Sequence, residues 1–202
     1  TIGPGVVSSS NGSHGIRLIG DGSDDFTLID SIVGGDASAT LDRGNVGDGV
    51  SMDATGIQFK DCAIGTAGLG NVLVANGGVG LRTVGHVHSF DVVGNFVGVG
   101  AGYTPLGNTS HGWQATSDGS EDSHGEGGPF QDNVFGDNGG SGARLVRAEN
   151  WLTYRNAFGT DPDGTLDLGN GGHGLLLLSA AGDNVEDFII GDGTAANQNV
   201  FA

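Results

Sequence analysis

Three aspartates, Asp161, Asp163 and Asp167, form the best candidate metal site in this chain. They lie in the run Asp-Pro-Asp-Gly-Thr-Leu-Asp, where carboxylates alternate with other residues and a glycine allows the bend. Carboxylates at such positions converge on Ca²⁺ in known cation-binding loops. No glutamate closes the run at the EF-hand distance, and a corresponding loop keeps only Asp36 and Asp42. The sequence therefore predicts one calcium site, with plain turn-forming aspartates as the alternative.

Residues that could catalyse a reaction are present but have no distinctive setting. Hydrolysis of a glycoside needs two carboxyl groups that face each other across a sugar-sized gap, and with 20 aspartates some pair meets that spacing by chance. Arg17, Arg82 and Arg144 recur at one position of a repeat described below, on alternate units. Side chains two strands apart are separated by about 10 Å, so we interpret these arginines as a structural ion-pair element. The sequence favours a protein without catalytic activity.

The histidines predict turns and no compact metal site. His14, His111 and His173 each stand just before a turn glycine, in three different units of the repeat. His86 and His88 alternate along a predicted strand, but no third ligand accompanies them.

Composition and charge exclude several classes of protein. Seven basic residues against 24 acidic ones give a net charge of −17, which repels nucleic acid and anionic lipid. The 42 glycines argue against a helical bundle, and a single cysteine, Cys62, cannot form an intramolecular disulfide. No apolar run is long enough to cross a membrane. The acidic composition and a start at Thr1 predict a processed or excised chain that is extracellular or on the cell surface.

One pattern, Asn-x-x-x-Gly followed by apolar-x-apolar, occurs six times, with Thr83 in the last apolar position of the third copy. Its glycines lie 34, 31, 32, 30 and 32 residues apart. A period of this length indicates a solenoid, and three short strands per unit favour a parallel β-helix over helical repeats. The six asparagines are Asn11, Asn45, Asn76, Asn108, Asn138 and Asn170.

Stacked coils should bring equivalent residues into columns. We expect the six asparagines to form a structural ladder in which each amide bonds the next. An inward column should contain Ile16, Val50, Leu81, Trp113, Ala143 and Leu175, and a second one Phe26, Phe90 and Trp151. Asn71, Asn133 and Asn199, each followed by valine, are interpreted as markers of alternate units.

Several runs resemble a known family of repeats. They are Ile64-Gly65-Thr66, the run from Phe158 to Thr165, and Gly169-Asn170-Gly171-Gly172-His173-Gly174. These runs are similar to the right-handed parallel β-helix repeats of bacterial and archaeal surface proteins, relatives of the pectate-lyase-like group. The resemblance covers essentially the whole chain. It implies one all-β, right-handed parallel β-helix over residues 1–202, with about six coils of ~31 residues that begin near the six asparagines, and half-coils at 1–10 and 190–202. It does not imply one function, because that architecture hosts lyases, hydrolases, adhesins and stalks.

The two ends of the chain share one sequence pattern. Ile2-Gly3 with Val6-Val7 corresponds to Ile190-Gly191 with Val200-Phe201. Either the chain is a piece of a longer solenoid, or its last coil stacks on the first coil of another copy and builds a filament. In the second case Val6, Val7, Val200 and Phe201 are the assembly residues.

We therefore expect a non-catalytic structural or adhesive solenoid, with a polysaccharide-active lyase or glycosidase as the alternative. Its partner would be another copy, bound head to tail, or the rest of a longer solenoid, with a polysaccharide as a further candidate. We expect no nucleic-acid partner and no insertion into a membrane. No cofactor is required, and calcium is the one ion that the aspartate loop would bind. The acidic insertion Ser117–Pro129 is the most irregular stretch and the best place for a specific contact.

Overall fold

The computed structural model describes residues 1–20, 23–117, 128–180 and 185–202. Most of the predicted insertion at Ser117–Pro129 lies outside the described residues. The described part is almost entirely β-structure, with two short 3₁₀ turns at Ala101–Tyr103 and Ala195–Asn197 and no α-helix. The strands are β1 (Val7–Ser8), β2 (Ile16–Ile19), β3 (Thr27–Leu28), β4 (Ile32–Val33), β5 (Val50–Ile64), β6 (Val72–Leu73), β7 (Leu81–Val93), β8 (Phe96–Val97), β9 (Trp113–Thr116), β10 (Phe130–Gln131), β11 (Val134–Phe135), β12 (Ala143–Val146), β13 (Leu152–Tyr154), β14 (Ala157–Phe158), β15 (Leu175–Leu178), β16 (Ile189–Ile190) and β17 (Val200–Phe201).

The strands form two parallel sheets. Among the described residues, the narrow sheet has seven two-residue strands in the order β1-β4-β6-β8-β11-β14-β17. The wide sheet runs β15-β12-β9-β7-β10-β13-β16, and β5 pairs with β7 and carries β2 and β3 on its other side. All strand pairs are parallel, each between one repeat and the next. The predicted all-β parallel architecture is confirmed.

The register aligns equivalent residues of successive repeats. The first inward column is paired in the wide sheet as the sequence predicts, from Ile16 and Val50 through Leu81 to Leu175. Within it Val50 and Trp113 have no exposed surface. Parallel strands stack about 4.8 Å apart, so these columns form a continuous core along the stack.

Aromatic side chains fill the second inward column. Cys62 is paired with Phe90 and is buried there, and the adjoining register places Phe26 and Trp151 in line with them. The Trp113 and Trp151 rings from the two columns meet edge to face at 5.4 Å between centroids. Cys62 is thus a small core residue in a column of aromatic rings.

Candidate functional site

The repeated asparagines form a continuous hydrogen-bonded series. The Nδ2 group of each donates to the Oδ1 atom of the next, over distances of 2.8 to 3.0 Å. The inner members are buried, with Asn76 at 0% and Asn108 at 1% exposure. Most also donate to a carbonyl of the neighbouring narrow-sheet segment, for example Asn76 to the Val33 oxygen at 3.3 Å. The series therefore ties the turn of each repeat to the turn of the next.

The glycine that ends each turn is required by a close approach between repeats. A Cβ atom on Gly80 would lie 2.7 Å from the Gly112 oxygen and 2.8 Å from Asn108 Nδ2. A Cβ atom on Gly112 would similarly lie 2.5 Å from the Gly142 oxygen. Neither glycine has a positive φ, so steric space between stacked turns, and not backbone conformation, selects glycine.

A second asparagine ladder, absent from the sequence prediction, joins the wide and narrow sheets. Each Nδ2 again donates to the Oδ1 of the next member, at 2.9 to 3.2 Å, and Ser31 begins the series by donating its N–H. Asn71, Asn133 and Asn199, each followed by valine, do stand in alternate units, but they share one ladder with Ser31 and the asparagines of the other units. The members are Ser31, Asn71, Asn95, Asn133, Asn156 and Asn199.

The residue before the turn glycine caps the next turn. His14 Nδ1 accepts the Asp48 N–H at 3.0 Å, and Asp48 Oδ1 accepts the Val79 N–H at 2.9 Å. His111 Nδ1 accepts the Ser141 N–H at 2.8 Å. Burial lowers the pKa of His111, and the charge of Arg144 lowers it further. A neutral imidazole that accepts a backbone hydrogen bond suits a turn, which is the role that the sequence favours.

The predicted calcium loop is held by its own hydrogen bonds. Asp161 Oδ1 accepts the N–H groups of Thr165 and Leu166 at 2.6 and 2.8 Å, and Oδ2 accepts the Thr165 hydroxyl at 2.9 Å. Burial raises the pKa of Asp161, but these bonds outweigh it and bring the value to about 2. Among the described residues, no three His, Cys, Asp or Glu side chains come together as a metal site. Calcium binding by Asp161, Asp163 and Asp167 stays a prediction.

The earlier loop with Asp36 has the same construction. Asp36 Oδ1 accepts the N–H groups of Thr40 and Leu41, both at 2.9 Å, and Oδ2 accepts the Ser38 hydroxyl at 2.6 Å. These bonds, with that of Ser38 the strongest influence, lower the pKa of Asp36 to about 2. Two loops four repeats apart therefore use an aspartate as an internal clamp.

The repeated arginines lie in one row on the outer side of the wide sheet. The register runs Arg17, Ser51, Arg82, Gln114, Arg144. Their interpretation as an ion-pair element is wrong: within the described ranges, none of the three guanidinium groups forms an ion pair or a side-chain hydrogen bond. Asp53 lies two residues along β5 from Ser51 of this row, and its pKa is lowered mainly by Thr55 and further by the charges of Arg82 and Arg17.

The histidine pair of β7 and the nearby Asp91 are the other side chains of a type that could take part in catalysis. His86 Nε2 lies 2.7 Å from Gln58 Nε2, and His88 Nδ1 lies 3.0 Å from the Ser89 hydroxyl. Burial raises the pKa of Asp91, and the charge of Asp61 raises it further. The raised pKa of Asp91 could not be predicted from the sequence, because it arises from the packing around β7.

Two cavities lie on the outer side of the narrow sheet. One of about 350 Å³ is lined by Val7, Ile32 and Val72 with Asp30. Another of about 310 Å³ contains Asp132, but Arg155 neutralises that carboxylate with hydrogen bonds of 2.6 and 2.8 Å. Neither lining presents two opposed free carboxylates, which is the arrangement that glycoside hydrolysis needs.

The two end faces of the stack expose apolar side chains and unpaired strand edges. Val7 is 43% exposed on β1, the first strand of the narrow sheet, and Phe201 is 50% exposed on β17, its last. The Phe201 ring stacks on Phe158 at 4.8 Å, and Phe158 stacks on Phe135 at 5.3 Å. Phe201 thus ends an aromatic stack with one face uncovered by any described residue.

No helix in the described part of the chain has the length and apolar character to cross a membrane. Comparisons with protein-family models, with curated proteins and with solved structures find no match to this chain.

Proposed function

We propose that the protein is a non-catalytic structural solenoid, extracellular or on the cell surface, that grows by stacking one copy on the end of another. In this proposal the two sheets form about six right-handed coils of ~31 residues each. One observation carries the proposal: both end faces present the same columns and strand edges that join the repeats inside the molecule. An apolar edge of this kind is a template for pairing with another chain.

The asparagine ladder gives the two faces opposite polarity. At most steps the backbone N–H and the Nδ2 group of one asparagine both donate to the Oδ1 of the next, as from Asn76 to Asn108. Continued outward, this pattern leaves donors of Asn170 at one face and the Oδ1 acceptor of Asn11 at the other. Donors meet acceptors only when the faces stack head to tail, a heterologous contact that builds open filaments.

The register sets a condition on this stacking. Val7 and Val200 belong to one column of the narrow sheet, and Ile2 and Ile190 to one column of the wide sheet. When β2 of one copy pairs with β15 of another, β1 and β17 therefore compete for one place. We infer that flush stacking displaces one of these two segments, so that the wide sheet continues without a missing strand.

Deletion variants test this proposal by sedimentation velocity. Removing residues 1–9 or residues 190–202 takes away one of the competing segments, and each variant should assemble at lower concentration than the full chain. Removing both leaves a missing strand in the narrow sheet and should weaken assembly again. Leu177→Asp, on the end strand β15 that pairs with the next copy in flush stacking, should block stacking of the full chain, whereas Val46→Asp, at a side chain 72% exposed on a turn, is the matched control. Monomers for all variants at high concentration would disprove end stacking.

A further inference from the structure

Two loops on the narrow-sheet side carry the same exposed pair, a leucine followed by an aspartate. Leu41 is 55% exposed and Leu166 42% exposed, although both lie in loops clamped by internal hydrogen bonds. Asp36 and Asp161 hold the two leucine N–H groups at 2.9 and 2.8 Å, so the two loops share one shape. We name Leu41-Asp42 and Leu166-Asp167 the two knobs.

The knobs are separated by a fixed multiple of the strand spacing. They follow β4 and β14, which are four strand steps apart in the narrow sheet. At about 4.8 Å per step, the knobs stand roughly 19 Å apart along the stack.

The arginine row has the same spacing on the opposite sheet. Arg17 and Arg144 are also four steps apart in the paired register, roughly 19 Å. Two residues after each arginine, on the same outer side, stand Ile19, which is 59% exposed, and the half-buried Val146. Asp53 is the one carboxylate in this outward set, on a protein with a net charge of −17. The outward set is Arg17, Ser51, Arg82, Gln114, Arg144, Leu176, Ile19, Asp53, Val84, Thr116, Val146 and Leu178.

We propose that the two knobs of one copy dock side by side on the arginine row of a second copy. Each knob aspartate pairs with a row arginine, and each knob leucine packs on the apolar residue beside it. Guanidinium groups bind carboxylates with good geometry, and these arginines have no ion-pair partner among the described residues. A second copy is the favoured occupant because it carries a negative charge and an apolar side chain twice, at the spacing of the row. The contact is independent of end stacking.

Charge reversal in two complementary variants tests the contact. Leu177→Asp, on the inward side of the end strand β15, is present throughout, so that end stacking does not contribute. The row variant carries Arg17→Glu with Arg144→Glu, and the knob variant carries Asp42→Arg with Asp167→Arg. Each variant alone should associate at least about tenfold more weakly than the parent. An equimolar mixture of the row variant and the knob variant should recover association, as measured by sedimentation velocity. Lys60→Glu, outside both surfaces, is the control and should not weaken association.

Net charge alone predicts a different result. The knob variant is less negative by four charges, so simple repulsion would make it associate more strongly than the parent. That outcome, or a mixture no stronger than the separate variants, would overturn the proposal, as would a parent that remains monomeric.

Cysteine pairs locate the contact without relying on charge. Leu41→Cys mixed with Ile19→Cys should form a disulfide-linked dimer on mild oxidation, since Cys62 is buried at 1% exposure and does not compete. Leu41→Cys mixed with Val46→Cys is the control and should give no such dimer. Equal crosslinking in the two mixtures would disprove the docking geometry.

Discussion

Replacing Asn76 with alanine tests whether the first ladder holds the repeats together. Its Oδ1 accepts Asn45 Nδ2 at 2.8 Å, and its Nδ2 donates to Asn108 Oδ1 at 2.9 Å and to the Val33 oxygen at 3.3 Å. After the change the Val33 oxygen still accepts the Val74 N–H, and Asn108 Oδ1 still accepts the backbone N–H of residue 76. One N–H of Asn45 is left buried without its partner.

A buried donor left without a partner costs about 1–3 kcal/mol. Asn76→Ala should therefore lower the free energy of unfolding by about that amount. For a chain of this size, each kcal/mol corresponds to roughly 2–4 °C in the melting temperature.

Asn11→Ala is the matched control, because Asn11 occupies the same ladder but is exposed to water. Its hydrogen bonds can be replaced by water, so this change should cost less than about 1 kcal/mol. Urea unfolding followed by circular dichroism gives both values, and the slope with urea should be the same as in the unchanged protein. Equal losses of unfolding free energy in the two variants would show that the contribution of a ladder asparagine to stability does not depend on its burial.

Three other predictions concern single residues. Hydrogen bonds hold the pKa of Asp36 and Asp161 at about 2 in the folded protein, against about 3.9 in the unfolded chain. The contribution of these two carboxylates to stability is therefore complete above about pH 4 and disappears as the pH falls toward 2. In Asp161→Asn, the free energy of unfolding in urea should depend less on pH across this range. Asp91→Asn should raise the melting temperature at pH 7, because burial raises the pKa of that carboxyl group and makes its charged form costly, and a lower melting temperature would contradict this. Gly80→Ala should destabilise the protein through contact with the Gly112 oxygen, whereas Gly12→Ala, with no atom near its Cβ position, should not, and equal melting temperatures would refute the steric argument.

The first ladder could be predicted from the sequence because its signal is local and regular. Asparagine and glycine stand at a constant separation in every unit, and the units differ in length by only a few residues. The second ladder follows loops of unequal length, so Asn71 and Asn95 are 24 residues apart while Asn95 and Asn133 are 38 apart. The text Asn-apolar-apolar, common to Asn71, Asn95 and Asn156, is the signal that would have identified it.

The state of individual polar groups could not be predicted from spacing alone. An aspartate run with glycine is typical both of a cation loop and of a loop whose aspartate accepts its own backbone N–H groups, as Asp161 does. Similarly, the spacing of Arg17, Arg82 and Arg144 indicates a common row but contains no information on which acids lie beside it. Such contacts depend on loops that come from other repeats.

Electron microscopy of the pure protein, with measurement of the axial rise per subunit, tests the central proposal most directly. Flush stacking of six strands per copy at about 4.8 Å predicts filaments with a rise of roughly 29 Å. A rise of roughly 34 Å would mean seven strand steps per copy and would contradict the displacement of a terminal segment. Single particles without filaments, at concentrations where the deletion variants are also monomeric, would contradict end stacking itself.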